Sequence, residues 1–455
     1  MHRSRFLAKT TALSVAGVLA ALPAFAQTGQ QQQIEQLMQQ LEIQKKMMEN
    51  ISRELEQVRA EQAKQTKPTA PGGDVEVTTK GGIGVQSKDG NFSFKINGRV
   101  QTDYTSYTQD KTELGDGTEF RRVYLSGAGA LWDWGYKIEA DFANDGVALQ
   151  DVYLAYRGLK PVTLTVGHFK QPFSLDQLTS DTNVAFMERA LPDIFAPGRL
   201  ISVGANTNGG NWTLAATGGS GSASNDVANE GDEGYALTAR ATFAPVHEAT
   251  EVIHLGGAVT WKNPQDEAIR IRQRPESHLT ATRFVDTGTI PGKVDDVLTY
   301  GAELATVYGP LSLQGEYMGS SVSRAALSTL DFKGWYALVS VFLTGESRKY
   351  EANKGIFGRV VPTRSLEDGG FGAWEIALRY SAIDLTDKDV TGGGEKNITL
   401  GLNWYANAYV RFLANYIWVN TDNQATGSSG PLLPGETFRG DDDPRIFMLR
   451  AQVDF

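Results

Sequence analysis

The sequence predicts an all-β fold, a 16-stranded antiparallel transmembrane β-barrel preceded by an N-terminal coiled-coil helix. Three observations predict it. Polar and apolar residues alternate with period two from residue 91 to the end of the chain. The connections between these segments mostly alternate between short and long. Beyond residue 26, no apolar run approaches the roughly 18–20 residues that a membrane helix needs. Composition agrees. The mean hydropathy of −0.30 suits a soluble protein or a membrane barrel, whose strands average polar and apolar side chains. The 455 residues include no cysteine, which excludes disulfides, thiolate nucleophiles and cysteine-based metal sites. The formal net charge is −10.

The N-terminus "MHRSRFLAK" is basic, "TALSVAGVLAAL" is short and apolar, and "AFA" precedes Gln27. This is the order of a secretory signal peptide, with residues 1–26 expected to be removed. Residues 27–67 are rich in Gln, Glu and Lys. Ile34, Leu41, Met48 and Leu55 repeat every seven residues, and Leu37, Ile51 and Val58 supply the second seam, with Gln44 its polar exception. The pattern predicts a coiled-coil helix, hence self-association. Residues 68–90, beginning "PTAPGGD", read as a linker to a barrel at 91–455.

In "NFSFKINGRVQTDY" the even positions Phe92, Phe94, Ile96, Val100 and Tyr104 oppose Lys95, Asn97, Arg99, Gln101 and Asp103. One face is apolar and the other carries charge. Segments of this kind fall at about 91–104, 119–131, 134–143, 149–157, 161–168, 199–206, 210–217, 234–243, 251–262, 296–308, 311–319, 331–344, 371–383, 395–405, 408–420 and 444–455. An even count lets an antiparallel sheet close with both ends on one side. Tight turns such as "WDW", "NGG" and "YAN" alternate with longer loops around 105–118, 169–198, 218–233, 263–295, 320–330, 384–394 and 421–443. Residues 345–370 break the rule, being long where a short turn is due. In "RIFMLRAQVDF" the apolar face ends on Phe455, like the terminal aromatic of outer-membrane barrels.

No G-x-S-x-G, H-E-x-x-H or P-loop motif occurs, and the five histidines are scattered. Nothing advertises an enzyme or a cofactor. Sixteen strands leave an aqueous lumen, so function turns on what crosses it. Selectivity then depends on the charges at the narrowest point, not on net charge. The lumen face also offers acids, namely Asp103, Glu139, Asp141, Asp151, Glu303, Glu316 and Glu375.

"GHFKQPFSLDQLTSDTNVAFMERALPDIFAPGR" (167–199) resembles the third loop, with its flanks, of the phosphate-selective porin O and P family. "FRRVYLSGAGALWDWGYKIEADFA", "DVYLAYRGL" and "GEKNITLGLNWYANAYVRFLANYIWV" are similar to that family too. The resemblance implies a homotrimer of sixteen-stranded barrels in a Gram-negative outer membrane, with the coiled coil in the periplasm. It implies inorganic phosphate or other small anions as solutes, outer-membrane lipid as the surroundings, no cofactor and no nucleic-acid partner.

It also implies anion-binding or pore-lining roles for particular residues. Arg270, Arg272 and Arg274 in "AIRIRQRPESH" match the family's ladder arginines, with His278 where a further arginine is expected. Arg189 matches the third-loop constriction arginine. Arg121, Arg122 and Lys137 match the basic wall, Asp151 an acid that tempers it, and Ser180 a hydroxyl donor. Alternation makes Arg122, rather than Arg121, the better lumen candidate. Alternate residues of an extended segment lie roughly 6.5–7 Å apart on one face, a distance an anion can hop. A guanidinium stays charged and offers a planar fork to oxyanions. Ile269 and Ile271, on the opposite face, are expected to pin the segment to the wall. The expected function is passive diffusion of small anions, phosphate foremost. The alternatives are a general porin, one for polyphosphate or small organic solutes, or a coiled-coil envelope tether anchored by the barrel.

Overall fold

The computed structural model describes residues 42, 45, 46, 50, 75–79, 82–143, 146–221, 234–264, 267–422 and 441–455. The first four are helical and exposed; otherwise the expected signal peptide and coiled coil lie outside the described residues. The chain divides into units 1–72 and 73–455, and the second holds the barrel.

The strands, in chain order, are β1 (Val75–Thr78), β2 (Ile83–Ser87), β3 (Phe92–Thr108), β4 (Gly117–Leu131), β5 (Trp134–Asp141), β6 (Ala148–Tyr156), β7 (Thr163–Lys170), β8 (Arg199–Asn208), β9 (Trp212–Ser220), β10 (Tyr235–His247), β11 (Glu251–Asn263), β12 (Arg272–Gln273), β13 (Val285–Asp286), β14 (Val294–Tyr308), β15 (Leu311–Arg324), β16 (Leu327–Phe342), β17 (Tyr350–Glu351), β18 (Ile356–Phe357), β19 (Ala373–Asp387), β20 (Val390–Tyr405), β21 (Val410–Asp422) and β22 (Arg445–Asp454). The barrel consists of β3–β11, β14–β16 and β19–β22, each antiparallel to its neighbour. It closes where β22 pairs with β3, from Arg445 opposite Thr108 to Asp454 opposite Arg99. All sixteen expected segments are present, one strand each. Alternation sets their facing. On β20, Glu395, Asn397, Thr399 and Asn403 are buried in the lumen, while Ile398, Leu400 and Leu402 are exposed on the outside.

Four features depart from the expected pattern. The stretch 68–90, expected as linker, contains the β1–β2 hairpin, and β2 joins the edge of β3 beyond the end of β22. The expected loops 320–330 and 384–394 are strand nearly to their tips. β15 and β16 meet at Ala325 and Ala326, and β19 and β20 at Lys388 and Asp389, with Ala326 and Lys388 at positive φ. Those stretches are rich in Ser, Thr and Asp, so they extend the sheet without the apolar alternation that marks a membrane strand. The long connection between β16 and β19 folds back into the barrel and carries the small hairpin β17–β18. Finally, β4 contains a bulge. Gln101 pairs with Arg122 and Thr102 with Phe120, so Arg121 is an extra residue.

Three inward segments pack against the wall. From the third loop, Phe173, Leu191 and Phe195 join Ile271, Val285 and Ile290 of the fifth loop (264–293) and lumen-facing Met318, Leu330, Phe332, Ile383 and Leu385 in one buried cluster. Met187 and Phe284 pack on Leu413, Ile417, Ile446 and Met448. Phe357 of the β16–β19 insert packs on Leu175 of the third loop and on Val252, Ala305 and Val307. The lumen face thus carries apolar patches beneath these side chains.

Candidate functional site

The third loop (171–198) is built to lie inside the barrel. It contains a one-turn helix, α1 (Leu175–Leu178), capped at its start by the Ser174 hydroxyl, and a 3₁₀ turn at Leu191–Phe195. Its backbone is held by side chains of the wall. The Arg411 guanidinium donates to the Val184 carbonyl (2.8 Å), the Asn403 amide to Ala185 (2.9 Å), Arg450 to Met187 (2.7 Å) and Arg379 to Glu188 (2.9 Å). The Met187 N–H donates in turn to Asn415 Oδ1 (3.0 Å). Wall glycines give the loop room. A Cβ on Gly334 would sit 2.9 Å from the Pro192 side chain, and one on Gly401 3.1 Å from the Phe186 ring. Arg189 donates to the carbonyls of Asp176, Gln177 and Thr179 at 2.9–3.1 Å, so this residue closes the end of α1 and ties the loop to itself.

The charged chain beside the loop runs along β3–β8. Arg121 grips Glu188 of the third loop with two bonds of 2.8 and 3.0 Å. Arg122 Nε lies 2.9 Å from Asp181 Oδ2, and Arg99 contacts both Asp181 and, at 3.5 Å, Glu139. Lys137 bridges Glu139 (3.1 Å) and Asp151 (2.8 Å), and Arg199 closes on Asp151 at 2.7 Å. The bulge explains why both neighbours Arg121 and Arg122 turn inward. Towards the β3–β4 loop the odd residues Glu119 and Arg121 face the lumen, and beyond the bulge the even residues Arg122, Tyr124 and Ser126 do. Plain alternation favours Arg122 alone, because period-two reading has no way to register an extra residue. Burial alone would push the Asp181 carboxyl up, but Arg99 and Arg122 outweigh it and hold the group well below the usual carboxylate range. Arg121 and Arg122 do the same for Glu188.

The fifth loop spans the lumen above this chain. Ile271 is buried and Ile269 packs beside it, as alternation predicts. Arg270 is bound to Asp286 across the short β12–β13 pair. The Arg272 side chain is exposed, with no hydrogen-bond or ion-pair partner among the described residues. Arg274 donates to the Thr280 carbonyl at 2.9 Å. Its guanidinium is shifted below the usual arginine range by burial and by Arg121. Arg283, missed in the sequence because it lies outside the alternating stretch, joins this group. Burial with Arg274 and Arg272 lowers it to about 10. His278 Nδ1 lies 2.7 Å from Glu119 Oε2, and the Ser277 and Tyr107 hydroxyls are 2.7 Å apart, so the loop's far end rests on β3 and β4.

Ser180 and Lys137 line a void of about 260 Å3 with Arg99, Tyr124 and Asn183; the Ser180 hydroxyl is bonded to Thr182 at 2.9 Å. Structure thus gathers Arg121, Arg122, Lys137, Asp151 and Ser180 at one level and Arg270, Arg272 and Arg274 above them. It adds Arg99, Asp181, Glu188 and Arg199, which sequence spacing does not single out because their partners are far away in the chain.

A closed sixteen-stranded barrel, apolar outside and charged within, narrowed by folded-in loops, defines an outer-membrane porin, a channel rather than an enzyme. The chain belongs to the phosphate-selective porin O and P family, whose pattern it matches over residues 94–455. It is 30% identical to Porin O of Pseudomonas aeruginosa over 426 residues, covering 85% of this chain and 94% of that one. A protein of Caulobacter vibrioides is 36% identical over 359 residues, 75% of this chain and 71% of that one. Among solved structures, the anion-selective porin from Comamonas acidovorans aligns with TM-score 0.51 and 12% identity, over 80% of this chain and all of that one. OmpT of Vibrio cholerae in its trimer form aligns with TM-score 0.50 and 11% identity, over 80% of this chain and 99% of that one. At these identities the two structures share the fold alone.

Proposed function

We propose that this porin passes small anions by passive diffusion, phosphate foremost, along an arginine-lined path. The observation that carries the reading is a fifth loop bearing Arg272, Arg274 and Arg283 that docks through His278 on Glu119 (2.7 Å), two residues along β4 from Arg121. Arg122, Lys137 and Arg199 continue the positive charge below, with Asp151 and Asp181 moderating their charge so that no single site is too deep to leave. In this reading Ser180 offers a hydroxyl at the narrow level and Arg189 acts by holding the loop that forms it. Cleavage after Ala26, a periplasmic coiled coil at 27–67 and assembly as a homotrimer complete the proposal; the heptad pattern supports a self-associating stalk.

The test is planar-bilayer recording under a potassium chloride gradient, followed by replacement of chloride with phosphate. The expected results are an anion-selective reversal potential and block of chloride current by phosphate. A cation-selective reversal potential overturns the reading.

A further inference from the structure

Below the third loop, against β6–β9, lies a chamber of about 690 Å3. Lys170, Pro172 and Leu178 form its roof, and Asn353 and Lys354 of the β16–β19 insert its floor. This volume is far larger than an inorganic oxyanion requires and falls within the roughly 300–1,000 Å3 of sites for organic ligands. Its chemistry is of three kinds. Arg157 and Lys354 stand as cations towards the turns, while Lys170 at the roof already donates to the Gln177 carbonyl at 2.6 Å. Asn206, Asn208, Thr165 and Thr217 present amides and hydroxyls from the wall. Tyr153 and Phe169 add an aromatic pair, ring centroids 6.1 Å apart and edge to face. Asp151, the one acid in the lining, is already bonded to Lys137 and Arg199.

We propose that this chamber is a second solute site, downstream of the constriction, for organic anions with a polyhydroxylated body, such as sugar phosphates. The anionic group meets Arg157 or Lys354, the hydroxyls pair with the amide and hydroxyl wall, and the apolar face of the carbon ring lies on Tyr153 and Phe169. A bare phosphate uses only the first of these contacts. The insert matters because Asn353 and Lys354 narrow the chamber at its floor and so give a transiting solute a place to dwell. The proposal rests on the anion-channel reading and refines its solute class.

Single-channel recordings with solute added from the turn side test it, with inorganic phosphate, glucose 6-phosphate and glucose as separate probes. Glucose 6-phosphate is expected to interrupt the current at about a tenfold lower concentration than phosphate, the effect of one or two added contacts, and glucose not to interrupt it. Asn206→Ala and Tyr153→Ala should each remove most of that advantage while leaving phosphate block unchanged. Equal block by phosphate and glucose 6-phosphate in the native channel overturns the proposal, as does an advantage that survives both substitutions. Either result leaves the anion-channel reading standing, because the reversal potential decides that separately.

Discussion

Glu276 of the fifth loop is paired with Arg379 of β19, Oε2 to Nη2 at 2.7 Å, three strands around the wall from the strand where the loop begins its return. Both side chains are almost sealed from solvent. The same carboxylate accepts from the Thr399 hydroxyl (2.9 Å), the Ser381 hydroxyl and the Leu191 N–H (3.2 Å). One acid thus clamps the fifth loop to the third loop and to two strands. Replacing Glu276 by Ala strands a buried guanidinium, a change that costs about 3–5 kcal/mol in comparable pairs. The expected outcome is a lower thermal midpoint together with a noisier, larger single-channel current. An unaltered current trace would mean that the clamp does not hold the loop in the conducting state.

The third loop rests on Gly334, where a Cβ would also lie 3.0 Å from the Ala382 carbonyl. Neither neighbour is a flexible side-chain end, so a Val there must displace the loop. We expect Gly334→Val to fold, judged by its retained heat-modifiable mobility in gels, and to conduct with a larger step and weaker anion preference. A native step size would show that the loop does not set the pore width.

Arg272 and Arg274 are predicted to act through their field. Arg272→Ala with Arg274→Ala should lower anion current several-fold at 0.01 M salt, where the screening length is about 30 Å, and much less at 1 M, where it is about 3 Å. Arg270→Ala should behave differently. It breaks the pair with Asp286 that closes the loop's own hairpin, so its effect should appear in stability at every salt concentration. Current at low and high salt, compared with thermal midpoints, separates the two kinds of arginine.

The docking of the third loop should resist acid. Asp181 and Glu188 are held well below their usual range by the wall arginines. For such depressed carboxyls the stabilisation is fully present above the unfolded-state pKa and is lost only as pH falls through the folded one. Free carboxyls titrate near 4, so conductance steps should be unchanged at about pH 4 and should change only below roughly pH 3. Asp181→Asn and Glu188→Gln, which fix each group in an uncharged form, should each show the altered step already at neutral pH. A step size that already drifts between pH 6 and 4 would contradict the assignment.

Much of the architecture was legible because alternation is a direct image of a wall with oil on one side and water on the other. Ile398 and Leu400 against Asn397 and Thr399 can be read without coordinates. The fifth-loop facing was legible for the same reason, with Ile271 buried and Arg272 exposed. What escaped reading depends on contacts distant in sequence or on breaks in the period. Arg379, Arg411 and Arg450 look like pore lining, but they bind carbonyls of the third loop some two hundred residues away. Lumen-facing Met318 and Phe332 look misplaced until the loops that cover them are present. The insert between β16 and β19 has no periodic signal, because its order comes from bonds such as Arg240 to the Gly355 carbonyl (2.9 Å) and Tyr350 to His254 (2.6 Å).

The bulge at Arg121 makes the chemistry of one wall depend on length as well as on composition. A strand offers each face every other side chain, so two successive residues can share the lumen only where the count slips by one. Deleting a single residue there would keep every neighbouring codon yet turn the strand's outer end over, carrying Phe120 into water and Glu119 towards lipid. Homologues that differ at this point by an insertion or deletion should therefore differ in what they transport more sharply than those that differ by substitution.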